Sequence, residues 1–328
     1  MFFGVKKYEK IRILGAGIII IMLFLVASIV SDTRKEQVQG SFELYDPEKV
    51  RVVLPVVYYK LENGSIIRIH EKNPFPFSIK LSVRKATFPN SLTVYKIEKY
   101  KNPEKIFQIA SKFGISPDKL YYNNITGAYL YHDSNITFEY ETKTGFIRVV
   151  FKSPISSNLN GNITERALNF LKARGLLYMQ NYTIKVVDYR KLNNSSSLKA
   201  VIVKPKLETF VVDNLGFAIV LEGDKIIRIE GVLPQKIVPI GRYEIKTIPE
   251  SIKELEEKLR RGEPMRDWYI SWMAFTEMNI QNITLTYRLN SEGYIVPVYN
   301  MHGTYMLDYK NLHEKGNITA MIVAIRIQ

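Results

Sequence analysis

Residues 136–152 read Ile136-Thr-Phe-Glu-Tyr-Glu-Thr-Lys-Thr-Gly-Phe-Ile-Arg-Val-Val-Phe-Lys152. Two runs rich in Ile, Phe, Tyr and Val, Ile136–Glu141 and Phe146–Lys152, flank Thr142-Lys143-Thr144-Gly145. β-favouring runs on either side of a short turn ending in glycine read as a hairpin. Hairpin links build antiparallel sheets. The stretch therefore predicts an α+β fold whose short helices pack on one face of antiparallel sheets.

The same signals recur outward. Upstream, Phe77, Ile79, Leu81 and Val83 alternate with Ser78, Lys80 and Ser82, a strand with one wet face. Val50–Lys60, Ser65–His70 and Ser91–Ile97 read as further strands. Asn102 before Pro103 caps a helix that Gly114 ends after Phe113. Downstream, Asn162 with Glu165 makes a capping-box pattern for a helix from Ile163 to Arg174, closed by Gly175. Strands follow at Tyr182–Tyr189, Lys199–Lys206, Gly216–Leu221 and Lys225–Glu230. A third helix spans Pro249–Arg261 and ends at Gly262. The final strands are Ile283–Leu289, Tyr294–Tyr299 and Ile318–Ile327. A unit of helix then strands thus repeats three times.

The N-terminus has different chemistry. Ile13–Ser31 (ILGAGIIIIMLFLVASIVS) holds 19 residues without a charge. At about 1.5 Å per residue it spans roughly 28 Å, close to the hydrocarbon thickness of a bilayer. Lys6, Lys7, Lys10 and Arg12 precede it, and the positive-inside rule then leaves the N-terminus in the cytoplasm. Nine Asn-x-Ser/Thr sequons begin at Asn63, Asn124, Asn135, Asn162, Asn181, Asn193, Asn194, Asn282 and Asn317, all beyond this run. Chance placement of 21 asparagines and 35 serines and threonines in 328 residues gives roughly two. The excess predicts an exported, N-glycosylated chain. Two rivals stand beside this: a composition merely rich in surface Asn and Thr, and a signal peptide cleaved near Val26-Ala27-Ser28. The expected order is a cytoplasmic tail (1–12), a signal-anchor helix (13–31), a stalk (32–40), a β-rich ectodomain unit (41–152) and a C-terminal ectodomain unit (153–328).

The absence of cysteine excludes disulfides, thiol nucleophiles, thiolate metal sites and a lipoprotein cysteine anchor. The net charge of +14 is scattered rather than striped with aromatics, which speaks against a nucleic-acid groove and reads first as solvated, solubilising charge, with anionic glycans or lipid headgroups as the alternative surface partners. His70, His132, His302 and His313 have no i, i+4 spacing for zinc. Ser82-Val-Arg-Lys85 and Ser196-Ser-Leu-Lys199 match S-x-x-K, but on a strand and in a turn rather than on a helix. Gly15-Ala-Gly17 lies inside the apolar run. No metal or cofactor is expected.

The segment Met265–Met278 carries both tryptophans. If helical, it sets Trp268, Trp272 and Phe275 at i, i+4 and i+7, on one face. With Tyr269 they form either a contact surface for a partner protein or glycan, or a core segment.

The last hundred residues have a further cadence. Tyr243-Glu-Ile-Lys-Thr-Ile-Pro-Glu250 leads to Leu255, Leu259 and Gly262-Glu263. Ile283-Thr-Leu-Thr-Tyr287 and Tyr294-Ile-Val-Pro-Val-Tyr299 follow. This resembles the C-terminal part of YycH/YycI-type and PepSY-like extracytoplasmic domains, and Ala167–Gly175 looks like the matching helix of a preceding unit. Ser251-Ile252 stands where that pattern has Glu-Ala. The resemblance implies an antiparallel sheet carrying helices and tethered by an N-terminal membrane helix. It also implies regulation of a membrane partner, a sensor kinase, through helix contacts. The chain is thus expected to be a non-enzymatic surface interaction or regulatory module, bound to the bilayer through 13–31 and to another membrane or surface protein. A surface glycan-binding module and a surface hydrolase built from distant residues are the alternatives.

Overall fold

The computed structural model describes residues 57–60, 66–69, 73–83, 87–100, 102–156, 161–190, 197–263, 265, 268–272 and 274–326. The expected tail, membrane helix and stalk lie outside the described residues, as do Asn63, Asn193 and Asn194. Among the described residues no helix is long and apolar enough to cross a membrane.

Strands β1 (Val57–Lys60) and β2 (Ile66–Ile69) pair as a separate antiparallel hairpin. Then come β3 (Ser78–Leu81), β4 (Ser91–Glu98) and helix α1 (Pro103–Ser111). Strands β5 (Tyr121–Asn123), β6 (Ala128–His132), β7 (Ile136–Glu141) and β8 (Phe146–Ser156) lead to helix α2 (Ile163–Ala173). After it run β9 (Tyr182–Arg190), β10 (Ser197–Leu207), β11 (Phe210–Val211), β12 (Phe217–Glu222) and β13 (Lys225–Val232). The chain continues through β14 (Lys236–Glu244), helix α3 (Ile248–Arg261), β15 (Trp268–Ile270), β16 (Glu277–Leu289), β17 (Tyr294–Tyr309) and β18 (Leu312–Val323).

Two large sheets result. The first takes β5 to β13 in the order β11-β10-β12-β13-β8-β7-β6-β5, with β9 on β10. The second takes β3, β4 and β14 to β18, in the order β14-β4-β17-β16-β3, with β18 on β17 and β15 on β18. Among the described strands all pairs are antiparallel except β3 with β16, and an isolated parallel bridge joins Val212 and Tyr287. The predicted α+β class of antiparallel sheets with a few short helices is what the chain forms.

The layout of units differs from the expectation. A division at residue 152 falls inside β8. The chain leaves the second sheet after β4, builds the first sheet, and returns with β14, which pairs with β4 from Lys236↔Glu98 to Glu244↔Ser91. Pairing between distant strands, not chain order, sets the sheets. Helices α1 and α2 share the first sheet rather than serving one unit each.

Local chemistry explains the elements. On β7 and β8 the inward residues Phe138, Tyr140, Ile147 and Val149 are all fully buried. The turn between them closes with the Gly145 N–H donating to the Glu141 carbonyl at 2.8 Å, at a φ of 73° that favours glycine. Each helix is capped by its sequence. Asn102 accepts from the Glu104 N–H, and Asn162–Glu165 and Thr247–Glu250 form capping boxes. Gly262, left-handed at φ 69°, stops α3. Ile106, Ala110, Ala167 and Leu171 bury the faces of α1 and α2 in the first core. Leu255 and Leu259 bury that of α3 in the second, each fully buried leucine stabilising by about 1.5–3 kcal/mol.

The two sheets are stitched by residues 212–214. The Val212 N–H donates to the Pro205 carbonyl at 2.9 Å, and the Asp213 N–H to the Tyr287 carbonyl at 2.9 Å. Buried Asn214 imitates a strand residue: its Nδ2 donates to the Leu289 carbonyl and its Oδ1 accepts from the Leu289 N–H, both at 2.7 Å.

Candidate functional site

Strand periodicity governs the aromatic segment. Residues Trp268–Ile270 are β15, not a helix, because Gly262 has already stopped α3 and side chains then alternate with period two. Trp268 and Ile270 turn into the second core, and Trp268 is 1% exposed. Phe275 is fully buried and meets Phe77 edge-on at 5.2 Å. Tyr269 lies on the opposite face, packed with Val94, Val298, Met321, Val323 and Ile325. Trp272 is half-buried with its ring 5.9 Å from Tyr305. The four aromatics therefore do not share a surface, and Trp268 and Phe275 are core.

The sequons are placed differently. Asn124, Asn135, Asn162, Asn181, Asn282 and Asn317, all six that the structure describes, are exposed. Asn135, Asn282 and Asn317 precede isoleucines that turn into the cores: Ile136, Ile283 and Ile318 are each less than a tenth exposed. Asn162 keeps its Oδ1 on the Glu165 N–H, which leaves its amide nitrogen outside the cap.

The outward face of β16, β17 and β18 is apolar where Val298, Met321 and Val323 cluster and polar around residues 282, 302 and 319. His302 stands opposite both Asn282 and Thr319, and its Nδ1 lies 3.2 Å from the Thr319 hydroxyl. His132 repeats the motif at 2.9 Å from the hydroxyl of Thr137, the third residue of another sequon. Where the sheets meet, the Thr286 hydroxyl donates to Asp213 Oδ2 at 2.7 Å, Asn300 Nδ2 donates to the Thr286 oxygen at 2.7 Å, and Lys204 lies 3.6 Å from Asp213.

On the first sheet, buried Glu230 faces Arg228 at 3.5 Å and Arg148 at 3.7 Å, and Arg148 also faces Glu139. These opposed charges balance one another in place, the condition for keeping ions inside a fold. Elsewhere titrating groups are locked structurally. Glu250 is held down to about 2 by the Thr247 N–H, then by Arg326 and the Thr247 hydroxyl. Burial pushes the Tyr299 phenol up to about 12, and it donates to the Lys246 carbonyl.

His313 and Asp308 pair at 2.8 Å at the tip of the β17–β18 hairpin, where both are well exposed. Among the described residues no three histidine or carboxylate side chains converge to hold a metal ion. The chemistry these surfaces offer is hydrogen bonding by amides and hydroxyls on broad, open strands.

No protein-family model matches the chain. A protein of Archaeoglobus fulgidus, carrying the name "Uncharacterized protein", is 35% identical over 291 residues, which cover 87% of this chain and 90% of that protein. Among solved structures, an uncharacterised protein from Eubacterium rectale aligns over 76% of this chain and 91% of its own, at 12% identity and a TM-score of 0.39. YycH from Bacillus subtilis aligns over 75% of this chain and 54% of its own, at 13% identity and a TM-score of 0.36.

Proposed function

The chain belongs to the family of the Archaeoglobus fulgidus protein, and from that premise we propose that it is a single-pass membrane protein whose folded sheets stand outside the cell. It acts there as a non-enzymatic interaction or regulatory module. The observation that carries this reading is the exposure of all six described sequon asparagines. A glycan needs an accessible amide nitrogen, and a chain selected for decoration keeps every acceptor at the surface. The uncharged run Ile13–Ser31, with basic residues before it, supplies the anchor and its orientation. The cadence shared with YycH/YycI-type and PepSY-like domains points the module at another membrane protein, met through the membrane helix. The polar part of the outer strand face, with Asn282, Asn300, His302 and Thr319, suits reversible contacts in water rather than a buried reaction.

The test is retention of partners. The full chain and a variant whose residues 13–31 are replaced by an unrelated membrane helix are each recovered from cells after crosslinking. Loss of the co-recovered membrane proteins with the replaced helix is expected. Equal recovery by both chains contradicts regulation through that helix.

A further inference from the structure

Five of the described sequons are the same triplet, Asn-Ile-Thr, beginning at Asn124, Asn135, Asn162, Asn282 and Asn317. As acceptors they are chemically identical, so any difference between them comes from their setting in the chain. The middle residue reports that setting. Ile125 is 97% exposed, whereas Ile136 is 8% and Ile318 1% exposed.

The first triplet lies between strands. β5 ends at Asn123 and β6 begins at Ala128, so Asn124, Ile125 and Thr126 form the hairpin tip, and all three are exposed. The tip is held from beside the triplet. The Ile125 and Thr126 N–H groups donate to Asn123 Oδ1 at 2.9 and 3.3 Å.

The triplets at Asn135 and Asn317 are woven into the sheets. β7 runs between β6 and β8, with Thr137 opposite both His132 and Val150. The Asn135 carbonyl accepts from the Lys152 N–H at 2.8 Å, and the Asn135 N–H donates to Asp133 Oδ1 at 2.7 Å. On β18, Thr319 stands opposite His302 of β17. On its other side the Thr319 N–H donates to the Ser271 hydroxyl oxygen at 2.9 Å, and its carbonyl accepts from the Ser271 N–H at 2.8 Å. In both triplets a histidine also meets the threonine hydroxyl, His132 at 2.9 Å and His302 at 3.2 Å.

Resting on the N-glycosylation reading above, we propose that these acceptors divide in time. Asn135 and Asn317 take a glycan only before the sheets close, whereas Asn124 stays open to transfer on the finished fold. In the transfer, the asparagine amide nitrogen bonds to the anomeric carbon of an oligosaccharide carried on a lipid phosphate. The bond from that carbon to the phosphate oxygen breaks, and the lipid phosphate leaves with the electron pair. One amide proton passes to a base of the transferase. The enzyme must hold the amide and the hydroxyl two residues on in one site. Neighbouring strands stand only about 4.8 Å apart, so no enzyme wall fits between them. A strand triplet must therefore leave its ladder and draw its isoleucine out of the core. Exposing one buried isoleucine lowers the population ready to react by roughly 10- to 150-fold. Occupancy at Asn135 and Asn317 is thus fixed during synthesis, while that at Asn124 can follow the state of the assembled protein.

The full chain, made in cells without N-glycosylation and solubilised in detergent, is the substrate for the test. It is incubated with a single-subunit oligosaccharyltransferase and that enzyme's lipid-linked oligosaccharide. Peptide mass mapping reads the occupancy of each site over time. Synthetic peptides covering 119–129, 130–140 and 312–322 give the rate of each triplet outside the fold, and each site's rate is divided by that of its peptide. Asn124 is expected to react at least about tenfold faster than Asn135 or Asn317 in the folded chain. Equal normalised rates at the three sites, or an Asn124 slower than either strand site, overturn the proposal. Mass mapping of the chain from its own membranes tests the N-glycosylation reading separately: absence of glycan at every sequon sinks that reading, whereas a reversed order in the folded chain sinks the timing.

Discussion

Replacing Trp268 by alanine separates a core role from a surface role. The indole is 1% exposed and packs in the core that α3 closes. A buried tryptophan hides about 150–250 Å². At about 25 cal/mol per Å² the lost burial amounts to about 4–6 kcal/mol. Large-to-small substitutions in real cores cost about 3–5 kcal/mol, because the cavity partly relaxes. With about 4 kcal/mol lost and about 2–4 °C per kcal/mol for a fold of this size, Tm should fall by about 8–16 °C. Circular dichroism melting of the detergent-solubilised full chain reads the shift without relying on tryptophan emission. Tyr269→Ala, on the other face of β15 and half-buried, is the comparison and should cost less than half as much. A Trp268→Ala chain that melts within about 3 °C of the parent, with altered partner recovery, would falsify the core assignment.

Further outcomes follow from the same contacts. Asn214→Ala strips both hydrogen bonds from Leu289 at the seam between the sheets, and should cost about 2–4 kcal/mol in denaturant unfolding; a loss below about 0.5 kcal/mol would mean that water replaces both bonds. Asn162→Ala removes the α2 cap and one sequon together, and is expected to cost about 1 kcal/mol while shifting the glycosylated chain's mass by one glycan. An unchanged mass beside other occupied sites would show Asn162 unmodified. Glu250, held at about 2 against a usual value of 4.5, contributes stability that is present above about 4.5 and is lost as pH falls toward 2. Melting temperature should therefore drop over that window more steeply for the parent than for Glu250→Gln. Parallel curves for the two would contradict the Thr247–Glu250–Arg326 lock.

Much of the fold is legible along the chain because its signals are local. The hairpin at 136–152, the caps at Asn102 and Asn162 and the stop at Gly262 all lie within a few residues of the structure they dictate. What escaped depends on distance or on a misleading local period. Strands β5 and β6 meet through Asn123-Asn124-Ile125-Thr126-Gly127, a turn whose asparagines and glycine read first as a sequon. β14 was hidden by Pro239 and Gly241, residues that normally end a strand but here form a bulged edge. Pairing of β4 with β14 has no local signature, so the insertion of one sheet within the other was not readable. The aromatic segment misled because Trp268, Trp272 and Phe275 fit a helical spacing, while the preceding Gly262 and the β-favouring Trp-Tyr-Ile triplet argue for a strand. The exposure of the described sequons was not visible in the sequence; alternation with buried isoleucines in Asn-Ile-Thr triplets was the available hint.

The central claim is that the described sheets lie outside the cell on a chain held in the bilayer by residues 13–31. Limited proteolysis of intact cells, followed by detection of the N-terminal fragment in the membrane pellet, tests it most directly. Removal of the folded part from whole cells, with a short membrane-embedded remnant left behind, is the predicted result. A full-length chain that resists protease until the cells are broken, and then appears in the soluble fraction, would contradict it.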